Sequence, residues 1–203
     1  MSFYLFSFYV CRLFFYAYFN LDFKGIENIP KAGEGIILIS NHQSYLDPIM
    51  MGLNVKGRKL YFMAKKELFK VPILAPIIKK LGAFPVQRGK RDPKVIEKAV
   101  NIVKNGEIMA MFPEGRRSKN GKLMRPKTGA VQIAIESGAH ILPCAICYKG
   151  KHPRSKVLVE YGKPIHLNDI VKGELTSNDI KALSEKCWDR VAEIYKKQRE
   201  DLS

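Results

Sequence analysis

Several runs in the chain are apolar without alternating. Gly35-Ile36-Ile37-Leu38-Ile39-Ser40, Leu60 to Ala64, Glu107 to Phe112 and His140 to Cys147 are the clearest. A strand wetted on one side alternates apolar with polar residues, so continuous runs predict strands covered on both faces, as in a parallel sheet. Two further strands are expected at Gly82 to Val86 and Lys156 to Tyr161, and an opening strand and turn over Phe23 to Pro30, followed by a loop over Lys31 to Glu34.

Between these runs the period lengthens to that of a helix. Asp92-Pro93 opens an amphipathic helix with Val95, Ile96, Ala99, Val100 and Val103 on one face, and Asn105-Gly106 closes it. Lys127 to Ser137, stopped by Gly138, reads as another. A last helix is capped by Thr176 or Ser177 and carries Ile180, Leu183, Cys187, Val191 and Ile194 as an inner stripe, flanked by Trp188 and Tyr195. A short helix runs from Pro48 to about Asn54. From Lys65 a helical stretch is broken by Pro72 and Pro76, and its apolar residues Leu68 to Ile78 suit either core or a lipid-facing surface. Strands alternating with helices predict an α/β fold, a mostly parallel central sheet flanked by helices. Such sheets gather ligands at the carboxyl ends of their strands.

The N-terminus follows neither period. Ser2 to Asn20 is almost wholly apolar or aromatic, with Arg12 as its only charge. It lacks the basic start and small-residue cleavage site of a secretory signal. It is shorter than the ~20 apolar residues a spanning helix needs. Its aromatic content suits the membrane–water interface, so a membrane-binding helix lying in one leaflet is expected. The alternatives are a short tilted spanning helix and a helix buried in the core, the latter disfavoured because no face is polar.

Composition adds one strong constraint. Thirty-five basic residues against nineteen acidic give a net charge of +16 on 203 residues. Such a field favours anionic partners: nucleic acid, an anionic membrane surface or phosphorylated substrates. The basic residues are dispersed from Lys56 to Arg199, and ten of the 21 aromatics sit in the N-terminal run, with little basic interleaving. A nucleic-acid binder would cluster or interleave the two, so no nucleic-acid partner is expected. Of the four cysteines, Cys144 and Cys147 have C-x-x-C spacing but lie in an apolar run, with no second pair to complete a zinc site. Buried strand cysteines in a reducing compartment are expected.

Three polar loops follow predicted strands: Asn41 to Asp47, Gln87-Arg88-Gly89, and Pro113-Glu114-Gly115-Arg116-Arg117-Ser118. In a parallel sheet all three lie on one edge. The first holds a histidine and a carboxylate five residues apart. On a continuous helix that spacing would leave them about 140° apart, so they meet only if the chain bends between them. Met, they would form a general base held in one tautomer by the carboxylate. Alone, Asp47 before Pro48 also reads as a helix N-cap, and His42 as an ordinary structural histidine. The other two loops supply guanidinium groups suited to phosphate. Gly115 allows close backbone approach, and nearby N–H groups could stabilise an oxyanion. There is no G-x-S-x-G elbow and no P-loop. His140, His152 and His166 lack metal-ligand spacing, so no metal is expected.

These blocks together resemble the 1-acylglycerol-3-phosphate acyltransferase family of glycerolipid acyltransferases. N-H-x-S-x-x-D matches Asn41, His42, Ser44 and Asp47. G-x-x-x-x-x-R matches Gly82 to Arg88. F-P-E-G-T-R-S matches Phe112, Pro113, Glu114, Gly115, Arg117 and Ser118, with Arg116 where the family usually has threonine. The apolar block with a proline matches Ile141 to Ala145, and K-x-G-A matches Lys127 to Ala130. The matches span about half the chain in the family's order.

The resemblance implies the glycerolipid acyltransferase fold, with a membrane-binding segment at 1–22 and a catalytic domain at 23–203. It implies acyl transfer from an acyl-CoA or acyl carrier protein thioester to the sn-2 hydroxyl of lysophosphatidate, with no cofactor and no acyl-enzyme. His42 would be the base and Asp47 its orienting partner. Arg88 and Arg117, with Lys65, would grip the acceptor phosphate. Glu114 and Gly115 would shape the acceptor and oxyanion pocket, with Ser118 in the same block. Arg116 would add charge beside the phosphate and leaves acceptor identity open. The enzyme would be membrane-associated, its catalytic domain on the cytoplasmic face. Glycerol 3-phosphate or another lysophospholipid is the alternative acceptor, and a non-catalytic basic protein binding nucleic acid or anionic lipid is the alternative of another class.

Overall fold

The computed structural model describes residues 3–55, 57–87, 92–167, 173 and 175–203. Seven strands form one sheet in the order β1-β7-β6-β2-β5-β3-β4. They are β1 (Asn20–Lys24), β2 (Ile36–Ser40), β3 (Leu60–Lys65), β4 (Ala83–Val86), β5 (Ile108–Met111), β6 (His140–Tyr148) and β7 (Lys156–Tyr161). Five of them, β6-β2-β5-β3-β4, run parallel, and β7 pairs antiparallel with β6 and parallel with β1. The mostly parallel sheet is therefore observed. β2, β5 and β6 are buried on both faces as their continuous apolar runs require, whereas β3 is only half-buried beyond Leu60.

The helices are α1 (Phe3–Tyr18), α2 (Asp47–Gly52), α3 (Leu74–Lys80), α4 (Pro93–Lys104), α5 (Gly129–Ser137) and α6 (Ser177–Leu202). Alternate residues of β2 feed two cores. Ile37 and Ile39 pack with Ala99 and Val103 of α4, Ile133 of α5 and Trp188 of α6. Ile36 and Leu38 pack with Phe15 of α1 and Met50 and Met51 of α2. Cys144 and Cys147 likewise divide between the two cores, and all four cysteines are free. The C-x-x-C spacing is thus that of buried strand residues.

Local signals explain most boundaries. Asp92 caps α4 by accepting from the amide of Lys94, with Pro93 at the first helical position. Thr176, not Ser177, caps α6 in a capping box with Asp179. Pro72 and Pro76 divide the stretch after β3 into a 3₁₀ turn, Lys66–Lys70, and α3, which carries Pro76 in its first turn.

The N-terminal segment differs from a free anchor. The expected boundary after residue 22 falls inside β1, which is the edge strand of the sheet. Phe15 and Phe19 are buried. Arg12 is a clamp: its guanidinium donates to Leu53 O and Asn54 Oδ1, at the C-terminal end of α2 where carbonyls lack helical partners. The opposite face carries Phe6, Tyr9, Val10 and Leu13, all exposed at i, i+3, i+4, i+7 spacing. Sixteen residues make a helix of about 24 Å, short of a ~30 Å hydrocarbon core. No helix among the described residues is long and apolar enough to cross a membrane.

Candidate active site

The carboxyl ends of the parallel strands converge on His42. The loop after β2 bends between His42 and α2, and His42 Nδ1 comes to 2.8 Å from Asp47 Oδ2. The two candidate groups therefore meet as the bent-loop reading requires. Asp47 Oδ2 also accepts from the amides of Gln43 (2.6 Å) and Ser44 (2.7 Å). Asp47 Oδ1 accepts from the Tyr148 hydroxyl at 2.7 Å. Asp47 is fully buried. Four donors therefore meet the two oxygens of this buried carboxylate, and one of those donors is the imidazole.

The helix-cap reading of Asp47 is corrected. Asp47 is the first residue of α2, Leu46 before it already has helical dihedrals, and no side chain caps the helix. With its oxygens turned back into the loop, Asp47 serves the loop and not the helix it opens.

The His42 ring is stacked on Phe112 at 4.0 Å, with planes 14° apart. Phe112 fixes the ring plane and Asp47 fixes the Nδ1 side. Nε2 is then the nitrogen that serves the groove lined by His42. Nδ1–H donating to Asp47 makes Nε2 a lone-pair acceptor, which is the tautomer a base needs.

Glu114 is a brace. Its Oε1 accepts from the His42 amide at 2.8 Å and its Oε2 from the Met124 amide at 3.0 Å. Burial pushes its carboxyl up; these two amides oppose that, and the charge of Asp47 adds to it. Ser118 is a second brace: its amide donates to His42 O at 2.7 Å, and its hydroxyl bonds Asn120 Oδ1. Asn41 sews the same loop to β6, exchanging two hydrogen bonds with the backbone of Ile146.

A groove of about 1390 Å³ opens at His42. Its lining includes the polar side chains of Tyr45, Lys65, Arg117 and Lys127, and an apolar wall where Cys11 of α1 packs in one cluster with Leu53, Leu60 and Phe62. The Arg117 guanidinium lies 3.5 Å from the centre of the exposed Tyr45 ring, an orientation that holds it at the rim. Gly115 has φ +70°, and a Cβ there would come within 3.0 Å of Lys127 Cε and Nζ, so the glycine lets the lysine lie against the loop. The Gly115 amide itself donates to Phe112 O and is occupied.

Of the expected site residues, His42, Lys65, Gly115 and Arg117 line the groove. Asp47, Glu114 and Ser118 stand behind it as supports. Arg116 is exposed, with Nε against Met124 Sδ, and is not part of the groove wall. Lys65 is half-exposed and also pairs with Glu67 at 3.6 Å. Arg88 lies outside the described residues. No group of three or more metal-ligating side chains occurs among the described residues.

Comparison with known proteins gives this arrangement a family. The Acyltransferase family model matches residues 20–147, from β1 through most of β6. The chain belongs to this family. A Bacillus subtilis relative, a 1-acyl-sn-glycerol-3-phosphate acyltransferase, is 32% identical over 84% of this chain and 86% of its own length. A relative of the same name from Streptococcus pneumoniae is 33% identical over 75% of this chain, and a chloroplast one from Arabidopsis thaliana 30% over 74%. This chain spans only 58% and 45% of the length of those two. The crystal structure of the 1-acyl-sn-glycerophosphate acyltransferase from Thermotoga maritima superposes with a TM-score of 0.72 at 27% identity, covering 94% of this chain and 79% of that one. The α/β fold with its mostly parallel sheet is therefore the acyltransferase fold.

Tyr148 and Lys127 are the site residues that sequence reading passes over. Lys127 stands in the block Lys127-Thr128-Gly129-Ala130, matched above to the K-x-G-A helix start, a pattern that gives the lysine no role in the site. Tyr148 ends an apolar strand and resembles a core aromatic; nothing local marks its partner 101 residues away.

Proposed function

We propose that the protein transfers a fatty acyl group from an acyl thioester to the sn-2 hydroxyl of 1-acyl-sn-glycerol 3-phosphate, forming phosphatidate. The observation that carries this reading is the His42–Asp47 pair at 2.8 Å, opening on a groove whose lining combines the cations Lys65, Arg117 and Lys127 with an apolar wall. That combination matches a substrate with a phosphate head and a hydrocarbon tail.

In this mechanism His42 Nε2 takes the proton of the acceptor hydroxyl as its oxygen attacks the thioester carbonyl. The C–S bond breaks, and the departing thiolate is protonated from the imidazolium. Asp47, itself fully buried, stabilises that imidazolium. The thioester is already activated, so direct attack suffices and no acyl-enzyme is required. Arg117 and Lys127 hold the acceptor phosphate, with Lys65 further along the rim; a guanidinium offers two parallel donors to phosphate oxygens. The acyl chain lies between α1 and the sheet.

Arg117→Ala is expected to raise the KM for lysophosphatidate by roughly tenfold, the worth of about one charge-assisted hydrogen bond, with the donor KM unchanged. Steady-state kinetics with each substrate varied in turn checks this. An unchanged acceptor KM would remove Arg117 from the phosphate site.

The exposed stripe of α1 supports association with the membrane in which lysophosphatidate resides. Phe6, Tyr9, Val10 and Leu13 would lie in the interface of the cytoplasmic leaflet, and the +16 charge would add attraction to anionic lipid. Replacing Phe6 and Leu13 together with aspartate should release the protein from anionic vesicles in a sedimentation assay while leaving the melting temperature within a few degrees. Retained tight binding would move the contact elsewhere. Substitution is preferable to deleting α1, because Phe15, Phe19 and Arg12 tie it to the core.

A further inference from the structure

The sheet order sets two basic loops on opposite flanks of His42. β2 lies between β5 and β6. The loop after β5 carries Arg117 and leads to Lys127, assigned above to the acceptor. The loop after β6 is the turn of the β6–β7 hairpin, Lys149-Gly150-Lys151-His152-Pro153-Arg154-Ser155-Lys156. It holds four cationic side chains and a histidine, and no acidic residue. Lys149, Lys151, His152 and Arg154 are exposed, and among the described residues no ion pair engages any of the four lysines and arginines.

This loop is built, not merely solvated. Arg154 has φ 62°, a left-handed conformation uncommon for a side chain of this size, and its amide donates to Tyr18 O at the end of α1. Ser155 O accepts from the Asn20 amide, and Lys149 N bonds Lys156 O across the turn. The turn folds over Gly150, where an added Cβ would meet His152 Nε2 at 2.8 Å and Ser155 Oγ at 2.9 Å. Ser155 Oγ is buried and has no hydrogen-bond partner among the described residues, a polar atom left unused in a cationic turn. The loop also touches the catalytic one: Lys151 Nζ lies 3.5 Å from Gln43 O, beside His42, and 5.9 Å from the centre of the Tyr148 ring that carries the hydroxyl holding Asp47.

Acyl transfer from a thioester brings two anionic molecules to one base. The acceptor carries a phosphomonoester, and the donor carries the phosphate of its phosphopantetheine arm. Two separated basic loops on either side of the base fit two separate phosphates. We infer that the β6–β7 turn is the donor site, with Lys149, Lys151 and Arg154 binding the phosphate of a phosphopantetheine thioester while its acyl carbonyl reaches His42. The inference rests on the acyl-transfer reading above, and it predicts that donor and acceptor contacts can be mutated apart.

The test uses the full chain carrying Lys149→Glu and Arg154→Glu together, which leaves in place Lys151 and its contact with the catalytic loop. Both side chains are exposed, so the fold tolerates the change. The expected result is a rise of about tenfold or more in the KM for donor, with the lysophosphatidate KM and the rate at saturating donor unchanged within about twofold. The assay is run with palmitoyl-CoA and, in a second arm, with palmitoyl-acyl carrier protein; the arm in which the wild type turns over identifies the carrier, and the rise is expected in that arm. Calorimetric binding of free coenzyme A and of the carrier protein, compared between wild type and variant, reads the same site without turnover. An unchanged donor KM with unchanged binding overturns the inference. So does a rise in acceptor KM alone, or a loss of anionic-vesicle binding alone, which would make the turn a lipid contact. If the wild type acylates no lysophosphatidate, the activity reading fails separately, and the binding measurement still decides whether the turn holds phosphopantetheine.

Discussion

Replacing His42 with alanine is expected to lower kcat for acyl transfer by roughly 10³-fold, within the range that a positioned general base contributes. Substrate binding should change little, because the phosphate grip lies on the loop after β5. The loop should also survive, since the residue at 42 contributes its backbone, and not its ring, to Glu114 and Ser118. Asp47→Asn should approach the same loss by another route. The amide oxygen can still accept from Gln43 and Ser44, but it no longer offers a charge to the imidazolium. Tyr148→Phe removes one of the four donors that the structure gives Asp47 and should cost about tenfold, the worth of one hydrogen bond to a charged group. Single-turnover kinetics at saturating substrates orders the three. A Tyr148→Phe loss equal to that of His42→Ala would mean the tyrosine acts on the substrate and not through Asp47.

Glu114 gives the second large effect, and it falls on stability as well as rate. Its two oxygens satisfy two amides from loops that are 82 residues apart in the chain, His42 and Met124. Glutamine has one acceptor in place of two, so one buried N–H would face an NH₂ group. An unsatisfied buried donor costs about 2 kcal/mol, which in a domain of this size is a drop of about 6 °C in Tm. Because the same amide belongs to His42, kcat should fall with it. The pH dependence has a definite sign. Burial raises the folded-state carboxyl above its unfolded value, so the native state binds the proton more readily. That term makes stability fall as pH rises through the window between the two values, and Glu114→Gln should lack this slope. Thermal melts of both proteins across that window check it; parallel curves would show that Glu114 does not titrate there.

Much of this architecture is legible in the sequence. The unbroken apolarity of Ile36 to Ile39 and Ile141 to Cys147 can be satisfied only by a strand covered twice, and the stripe from Val95 to Val103 only by a helix on that sheet. The order of loops along the chain also brings His42 and Arg117 to one edge once the strands are parallel. Other features depend on contacts that no local pattern encodes. Asp47 looks like a cap because a carboxylate before a proline usually is one. Its true partners come from a bend at residues 43–46 and from Tyr148, fixed only when β6 lies beside β2. Arg12 reads as a blemish in an apolar helix, yet it anchors that helix to the end of α2. Arg116 stands beside Arg117 in sequence and points away from it in space, because successive residues of a tight turn diverge.

The central claim is that His42 catalyses acyl transfer to a phosphate-bearing lysophospholipid. The most direct measurement is product formation from lysophosphatidate, glycerol 3-phosphate and a lysophospholipid with a capped phosphate. Each acceptor is offered palmitoyl-CoA and palmitoyl-acyl carrier protein, with wild type beside His42→Ala. The account predicts phosphatidate from lysophosphatidate with at least one donor, and its loss in His42→Ala. Undiminished turnover in His42→Ala, or acylation of the other acceptors with none of lysophosphatidate, would contradict it.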